Sequence, residues 1–301
     1  MMNKNNIIKN ISIILGTPVN DIEKYIEIFQ DKVIVIKYGG HAMGNKKLAH
    51  TFAEDVTYLQ KLGIKPVVVH GGGPQIGSML DKLKIESSFI DGLRITNEET
   101  VEIVEMVLSG SINKDIVNKI HVAGGLAVGL SGKDAKIILA DKLSGKFIDP
   151  NSNIEKFLDI GFVGKPKKID TSIINILSKN LIIPIIAPVG FGINNETYNI
   201  NADTAAGSIA KKIEARRLII MSDVEGVLDN NQKLIPEINS TSIKELIENE
   251  TITGGMIPKI NNCLDVASNG VKGVVIIDGR KNHSILFELL SDKGSGTLIR
   301  Q

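Results

Sequence analysis

Five short motifs in this 301-residue chain join glycines or a capping residue to a charged side chain. Lys37-Tyr-Gly-Gly40 closes the apolar run that starts at Val33. Glycines at a strand end let backbone N–H groups come close to an anion, and the lysine adds a point charge, although the same residues also make a plain turn. His70-Gly-Gly-Gly-Pro74 follows a second apolar run. Three glycines ahead of a proline suited to a helix start form a nest for an anionic group, more than a structural turn needs. Arg94, in Asp91-Gly-Leu-Arg-Ile-Thr96, carries the planar fork that holds a carboxylate bidentately or simply meets solvent. Asn199-Ile-Asn-Ala-Asp203 precedes the small-residue stretch Thr204-Ala-Ala-Gly-Ser-Ile-Ala210, so Asp203 is either an N-cap or a site carboxylate. Gly254-Gly-Met-Ile-Pro-Lys259 sets a lysine in the first turn of a helix, where the dipole disfavours a cation unless an anion sits nearby.

Other chemistries find little to carry them. No Gly-x-x-x-x-Gly-Lys-Ser/Thr occurs, and Ile76 stands where a dinucleotide fingerprint starting at Gly71 needs its third glycine. The five histidines, at 41, 50, 70, 121 and 283, lack metal-ligand spacing and read as structural or surface residues, so no metal site is expected. No serine stands in a Gly-x-Ser-x-Gly elbow. Lys plus Arg number 35 against 34 Asp plus Glu, a balance that gives no global attraction to nucleic acid or membrane. Any phosphate must therefore be held by local placement of charge. Cys263, the sole cysteine, excludes a disulfide within the sequence and reads as a small core residue. The strongest apolar run, Leu181 to Phe191, is far short of the ~20 residues that span a bilayer and contains Pro184 and Pro188. The first residues lack a signal-peptide core and the arginines of a transit peptide, so a cytoplasmic protein is expected.

The elements that must position these residues are legible from periodicity. Six runs, Val33–Gly40, Lys65–Gly73, Leu126–Gly132, Leu181–Gly190, Leu218–Gly226 and Val274–Gly279, are nearly continuous in valine and isoleucine, as strands buried on both faces are. Between them Leu48, Phe52, Val56, Leu59 and Leu62 keep helical spacing up to Gly63. Thr96-Asn-Glu-Glu99 reads as a capping box, and Pro74 and Pro258 as first-turn prolines. Strands alternating with helices predict an α/β fold with a mainly parallel sheet covered on both faces, its ligands beyond the carboxyl ends of the strands. Residues 149–164 read as turns or a hairpin over one edge. Ile7, Ile8, Ile11, Ile14 and Leu15, then Val19, Ile22, Tyr25, Ile26 and Phe29, mark two amphipathic halves of an N-terminal helix kinked at Gly16-Thr-Pro18, which packs on its own domain or on another subunit.

In this order the motifs resemble the amino acid kinase family, most closely its branch that phosphorylates N-acetyl-L-glutamate, over a stretch from about Val33 to the C-terminus. The resemblance implies a three-layer αβα sandwich of the carbamate kinase-like type with an added N-terminal helix. It divides the chain into residues 1–30 for oligomerisation and effector binding, 31–209 for acetylglutamate binding and dimerisation, and 210–301 for ATP. It implies that Lys37 and Lys259 neutralise the transferring phosphoryl group while Asp203 orients both. Gly39, Gly40, Gly72 and Gly73 supply backbone donors, and Arg94 and Asn199 bind the acid. Asp223, Val224, Glu225, Gly226, Val227 and Leu228, with Thr251, Ile252 and Thr253, correspond to the nucleotide pocket, and Mg²⁺ rides on the ATP phosphates. The extended N-terminus resembles the arginine-inhibited, hexameric branch, which makes Tyr25, His283, Glu288 and Gly294 candidate contacts for L-arginine. A carbamate kinase- or aspartokinase-like activity and a non-catalytic arginine sensor are the alternatives; Lys37, Asp203 and Lys259 all being present argues against the sensor.

Overall fold

Val33-Ile-Val-Ile alternates its side chains across a pleated strand, and both faces are apolar. In the computed structural model, which describes residues 3–90, 92–148, 155–254 and 256–301, this strand has helices on either side. Ile34 and Ile36 join one buried cluster, and Val35 joins a second on the opposite face. The same split recurs in the next strand, where Val68 faces the first cluster and Val67 and Val69 the second. The first cluster is covered by helices that include Lys46–Lys61, Gly73–Leu83, Asn113–Val122 and Ser284–Leu290; Ala202–Lys212 and Met256–Ser268 cover the second. The layering is therefore helix, sheet, helix.

The central sheet has eight strands, in the order Glu237–Asn239, Gly296–Arg300, Val274–Asp278, Arg217–Ser222, Val33–Tyr38, Lys65–His70, Ile183–Ala187, Ala127–Ser131. All neighbours pair parallel except Val274–Asp278 with Gly296–Arg300. From Val33–Tyr38 the chain winds first to one side and later to the other, which opens a crevice at the carboxyl ends of the central strands. A second sheet of four strands, Ile138–Lys142, Val163–Ile169, Val189–Phe191 and Thr197–Ile200, closes on itself beside that crevice.

Two sequence expectations change in detail and a third, the edge hairpin, is met. Leu181–Gly190 is two strands, Ile183–Ala187 in the central sheet and Val189–Phe191 in the small barrel, parted at Pro188, which has no N–H for a ladder. Residues 145–148 and 155–158 form the expected hairpin; its tip at 149–154 lies outside the described residues, as do Asp91 and Gly255 of the two loop motifs. Thr96 does not cap the helix Glu98–Glu105. Asn97 does, its side chain accepting from the Thr100 N–H at 2.8 Å. Thr96 is fully buried and held on both sides by backbone, with its N–H donating to Ile160 and its carbonyl accepting from Phe162.

The N-terminal residues form two helices, Lys4–Leu15 and Val19–Phe29, broken where Gly16 takes φ 62°. Their apolar faces belong to the first cluster of this same chain, with Ile11 and Ile22 wholly buried. Truncating Ile22 to alanine should therefore cost about 2–5 kcal/mol in a urea titration. Ile193→Ala, at a loop position 82% exposed, should stay within about 0.5 kcal/mol. Equal midpoints for the two variants would mean that the N-terminal helices are not part of the cooperative core.

Candidate active site

Lys37 leaves the end of the strand Val33–Tyr38, Asp203 the first turn of Ala202–Lys212, and Lys259 the first turn of Met256–Ser268. One carboxylate joins the two cations. Asp203 Oδ1 lies 2.9 Å from Lys37 Nζ and Oδ2 lies 3.0 Å from Lys259 Nζ. Burial opposes ionisation of Asp203, but the two ammonium groups outweigh it and hold the carboxyl below its ordinary range. Asp203 is free to do this because Asn201 caps its helix, accepting from the N–H groups of Asp203 and Thr204 at 2.9 and 3.1 Å. Of the two roles open to Asp203 in the sequence, the cap thus falls to its neighbour.

On one side of this triad is a cleft of about 150 Å³ lined by Lys37, Gly39, Ser222, Asp223, Lys259 and Gly279. A Cβ at Gly39 would stand 2.7 Å from the Met221 carbonyl, so two strand ends approach there as only glycine permits. Ser222 and Gly279 are additions to the sequence-derived site. Both end strands of the central sheet, and that position was the signal for them. A second cleft of about 160 Å³ is lined by Gly71, Gly72, Gly73, Arg94, Asn199 and Ala202, the residue before Asp203. Arg94 is mostly buried, lies over the Phe89 ring at 4.5 Å, and donates to the Ser87 hydroxyl and, at 3.1 Å, to the Gly73 carbonyl. These partners are all neutral, so the guanidinium keeps its charge for an anion. Asn199 donates to Thr96 Oγ1 at 3.3 Å, which is where the buried Thr96 enters the site. One anion-receptive cleft is lined by both lysines and the other by Ala202, next to the carboxylate that joins them, an arrangement that suits the passage of a charged group between them.

Residues 32–278 match the amino acid kinase family. The chain belongs to that family. It is 55% identical over 276 residues, 92% of this chain and 89% of the relative, to the acetylglutamate kinase of Rhodospirillum rubrum. Among solved structures, N-acetylglutamate synthase from Neisseria gonorrhoeae, complexed with coenzyme A and N-acetyl-glutamate, superposes with TM-score 0.80 at 21% identity. The match covers 94% of this chain but 62% of that protein, so the chain spans less than two thirds of its length. Giardia carbamate kinase follows at TM-score 0.65 and 17% identity, over 89% of this chain and 98% of that one. These two likenesses concern the fold, and they match the three-layer architecture above.

Seen as an amino acid kinase, the chain lines the cleft of Lys37 and Lys259 with Asp223 alone of its candidate nucleotide residues, and the others stand in mixed settings. Glu225 is exposed and pairs with Lys281 at 3.3 Å. Val227 and Ile252 are core residues, Gly226 (φ 143°) abuts Thr297, and Leu228 bridges to Leu234. Val224 is half-buried, Thr253 is exposed, and Thr251 donates to Asn230 at 3.1 Å. Gly40 opens the short helical turn Gly40–Gly44 behind Gly39.

Away from the clefts, Tyr25, Arg217, Glu288, Asp292 and Gly294 line a cavity of about 380 Å³ between the helix Val19–Phe29 and the last strands. Burial raises the Glu288 carboxyl, opposed by the Ser295 N–H at 3.0 Å and by Arg217. Tyr25 donates to Asp292. The structure brings Tyr25, Glu288 and Gly294 together, but His283 is turned to Asp55, with Nδ1 2.7 Å from Oδ1.

That pair ties the helix Lys46–Lys61 to Ser284–Leu290. Asp55 is almost wholly buried, and burial pushes its carboxyl up to about 6 despite the imidazole. Asp55 in turn raises His283 above its ordinary value. A histidine raised on folding stabilises below its unfolded value and loses that contribution as pH rises through the folded one. Removing it leaves a buried carboxylate alone. His283→Ala should cost about 3–5 kcal/mol near pH 6.5, where the imidazole is protonated and Asp55 largely ionised, and less at pH 5, where Asp55 takes up a proton. Urea midpoints at both pH values check this. A cost unchanged by pH would mean that Asp55 is not the charge being stranded.

Proposed function

We propose that the chain is an acetylglutamate kinase, moving the γ-phosphoryl group of ATP to the γ-carboxylate of N-acetyl-L-glutamate to give the acyl phosphate and ADP in arginine biosynthesis. The observation that carries the reading is the Lys37–Asp203–Lys259 triad, whose two lysines line a cleft, in a chain whose curated relative of 55% identity bears that name. The acceptor is an ionised carboxylate at neutral pH, so no base is needed. Bringing that anion to a polyphosphate needs positioning and neutralised charge.

In this reading N-acetyl-L-glutamate lies in the cleft of Gly72, Gly73, Arg94 and Asn199, with Arg94 on a carboxylate. ATP lies in the cleft of Asp223, its base toward residues 223–228 and 251–253. A carboxylate oxygen forms the new bond to γ-phosphorus as the bond to the β,γ-bridging oxygen breaks, and ADP takes the electron pair. Lys37 and Lys259 face the oxygens of the moving group from two sides, and Asp203 holds both. Gly39, Gly40, Gly72 and Gly73 offer N–H groups. Mg²⁺ rides on the nucleotide phosphates; among the described residues no three His, Cys, Asp or Glu side chains gather to hold a metal by themselves. Residues 31–209 carry the acid and 210–301 the nucleotide, although one sheet runs through both.

The cavity at Tyr25, Glu288 and Gly294 is assigned to L-arginine as feedback inhibitor, because it offers a buried carboxylate to a guanidinium. Assembly is assigned as a hexamer through the helix Lys4–Leu15, which leaves Ile13 81% exposed. The cytoplasm is the compartment proposed for it. No helix among the described residues is long and apolar enough to cross a membrane.

ADP release with ATP and Mg²⁺ should be seen with N-acetyl-L-glutamate and not with glutamate, aspartate or carbamate. Turnover with another of these acids overturns the role of Arg94. Lys259→Ala should lower kcat about 10²–10³-fold with the fold retained. In the same assay arginine should inhibit, and Glu288→Gln should weaken that inhibition about 10- to 100-fold. Undiminished inhibition of this variant would remove the effector assignment.

A further inference from the structure

His70 and Asn113 take no part in the reaction described above, yet both are fully buried beside the glycine loop. We infer that they are positioning residues: a neutral His70, held by Asn113, fixes the peptide after Gly71 so that the Gly72 N–H points into the acid cleft. The role rests on the acetylglutamate kinase reading; the geometry stands without it.

The Gly71 carbonyl lies 2.9 Å from His70 Nδ1. A carbonyl only accepts, so Nδ1 carries the proton and donates. On the other side of the ring, Nε2 lies 3.2 Å from Asn113 Nδ2. The amide orientation is set independently. Its nitrogen also reaches the carbonyls of Leu130 at 3.1 Å and Ile185 at 2.9 Å, and its oxygen accepts from Lys114 Nζ at 3.1 Å. An amide nitrogen cannot accept, so Nε2 is bare and shares the two amide hydrogens with the Leu130 and Ile185 carbonyls. Burial, reinforced by the Lys114 charge and partly offset by the Gly71 carbonyl, lowers the imidazole to about 4, so it stays neutral.

The consequence for the loop follows from the planar trans peptide, in which C=O and the next N–H point in opposite directions. The Gly71 carbonyl is turned inward to the buried ring, and its own N–H donates to the Tyr38 carbonyl at 2.9 Å. The Gly72 N–H is thus directed outward, toward the cleft that Gly72 lines. Side-chain space is arranged around the same device. A Cβ at Gly129 would stand 1.8 Å from Asn113 Oδ1, so this strand glycine makes room for the amide. A Cβ at Gly72 would meet Ile112 at 2.4 Å and Leu108 at 2.6 Å. Both belong to a π-helical stretch, Met106–Ile112, that ends at Asn113. Such wide turns are rare and concentrate at functional sites.

Two substitutions separate positioning from bulk. His70→Asn keeps an amide donor near Nδ1, whereas His70→Gln keeps one near Nε2 and loses the Gly71 bond. His70→Gln should lower kcat about 10²-fold, as misplacement of a site group by about 1 Å does. KM for ATP should change little, and His70→Asn should recover most of kcat. Equal losses in both variants, or a loss that follows thermal stability alone, would overturn the inference. Nitrogen-15 spectra of histidine-labelled protein give a readout without substrate. One of the five imidazoles should remain the neutral Nδ1–H form from pH 5 to 8. An Nε2–H form, or titration of His70 near 6.5, would overturn it as well. Should the unsubstituted protein turn over none of the acids tested, the functional reading fails while the nitrogen-15 result still decides the geometry.

Discussion

Two ammonium groups cannot be brought to one anion-binding point without a countercharge, and Asp203 between Lys37 and Lys259 supplies it. At about 5 Å and an effective dielectric near 20, two lysines repel by roughly 3 kcal/mol. A carboxylate touching both removes that repulsion and fixes where each Nζ stands, leaving the trio with one net positive charge for an incoming anion. Much of the fold serves to bring these three residues, widely separated in sequence, within reach of one another. Ala202–Lys212 must lie close to Met256–Ser268, and it does so through small residues: a Cβ at Gly207 would stand 2.8 Å from Val266. Ala205 and Ala206, fully buried, complete the small face of that helix.

The glycines play a second part in the same constraint. Cations alone do not define a direction of transfer; backbone donors do, since their positions are set by the strands they end. Gly39 lets the end of Val33–Tyr38 come against the Met221 carbonyl on the neighbouring strand, which brings Lys37 and Ser222 to one cleft. Gly72 sits on Leu108 and Ile112 with no space for a side chain. The clefts are therefore shaped by what the backbone approaches, and the charged side chains reach into spaces the glycines make.

This explains what could be read in advance. The six apolar runs were legible as strands because burial on both faces leaves valine and isoleucine almost unbroken, and the glycines after them marked the functional edge. Lys37, Arg94, Asp203 and Lys259 were legible as candidates because each stands beside a glycine turn or a helix start, and at Lys259 the dipole disfavours a cation without an anion nearby. Ser222 and Gly279 were not, since an uncharged residue at a strand end has no local signature and gains its place only from sheet order. Thr96 and Asn97 offered the same capping chemistry one residue apart, and the choice was made by Ile160 and Phe162, far along the chain, which claim the Thr96 backbone. His70 was set aside with the other histidines because its role depends on Asn113, and nothing in the spacing of the two residues announces that pairing.

Placement also bears on how an effector could act. Arg217 begins the strand whose last residue, Ser222, lines the cleft of Lys37 and Lys259, and Arg217 itself lines the cavity of Glu288 and Tyr25. Five residue steps along an extended strand are about 17 Å, too far for one small molecule to fill both spaces. An occupant of the Glu288 cavity therefore does not compete directly for the phosphate site. It grips the helix Val19–Phe29 and the start of that strand, and any effect on turnover must pass through elements whose far ends carry the site. The strand Arg217–Ser222 suits such a route because it is paired on both sides and largely buried, so that it shifts with its neighbours rather than bending locally. Inhibition of this kind depends on how differently two arrangements of those elements would hold the effector, and not on how tightly it binds.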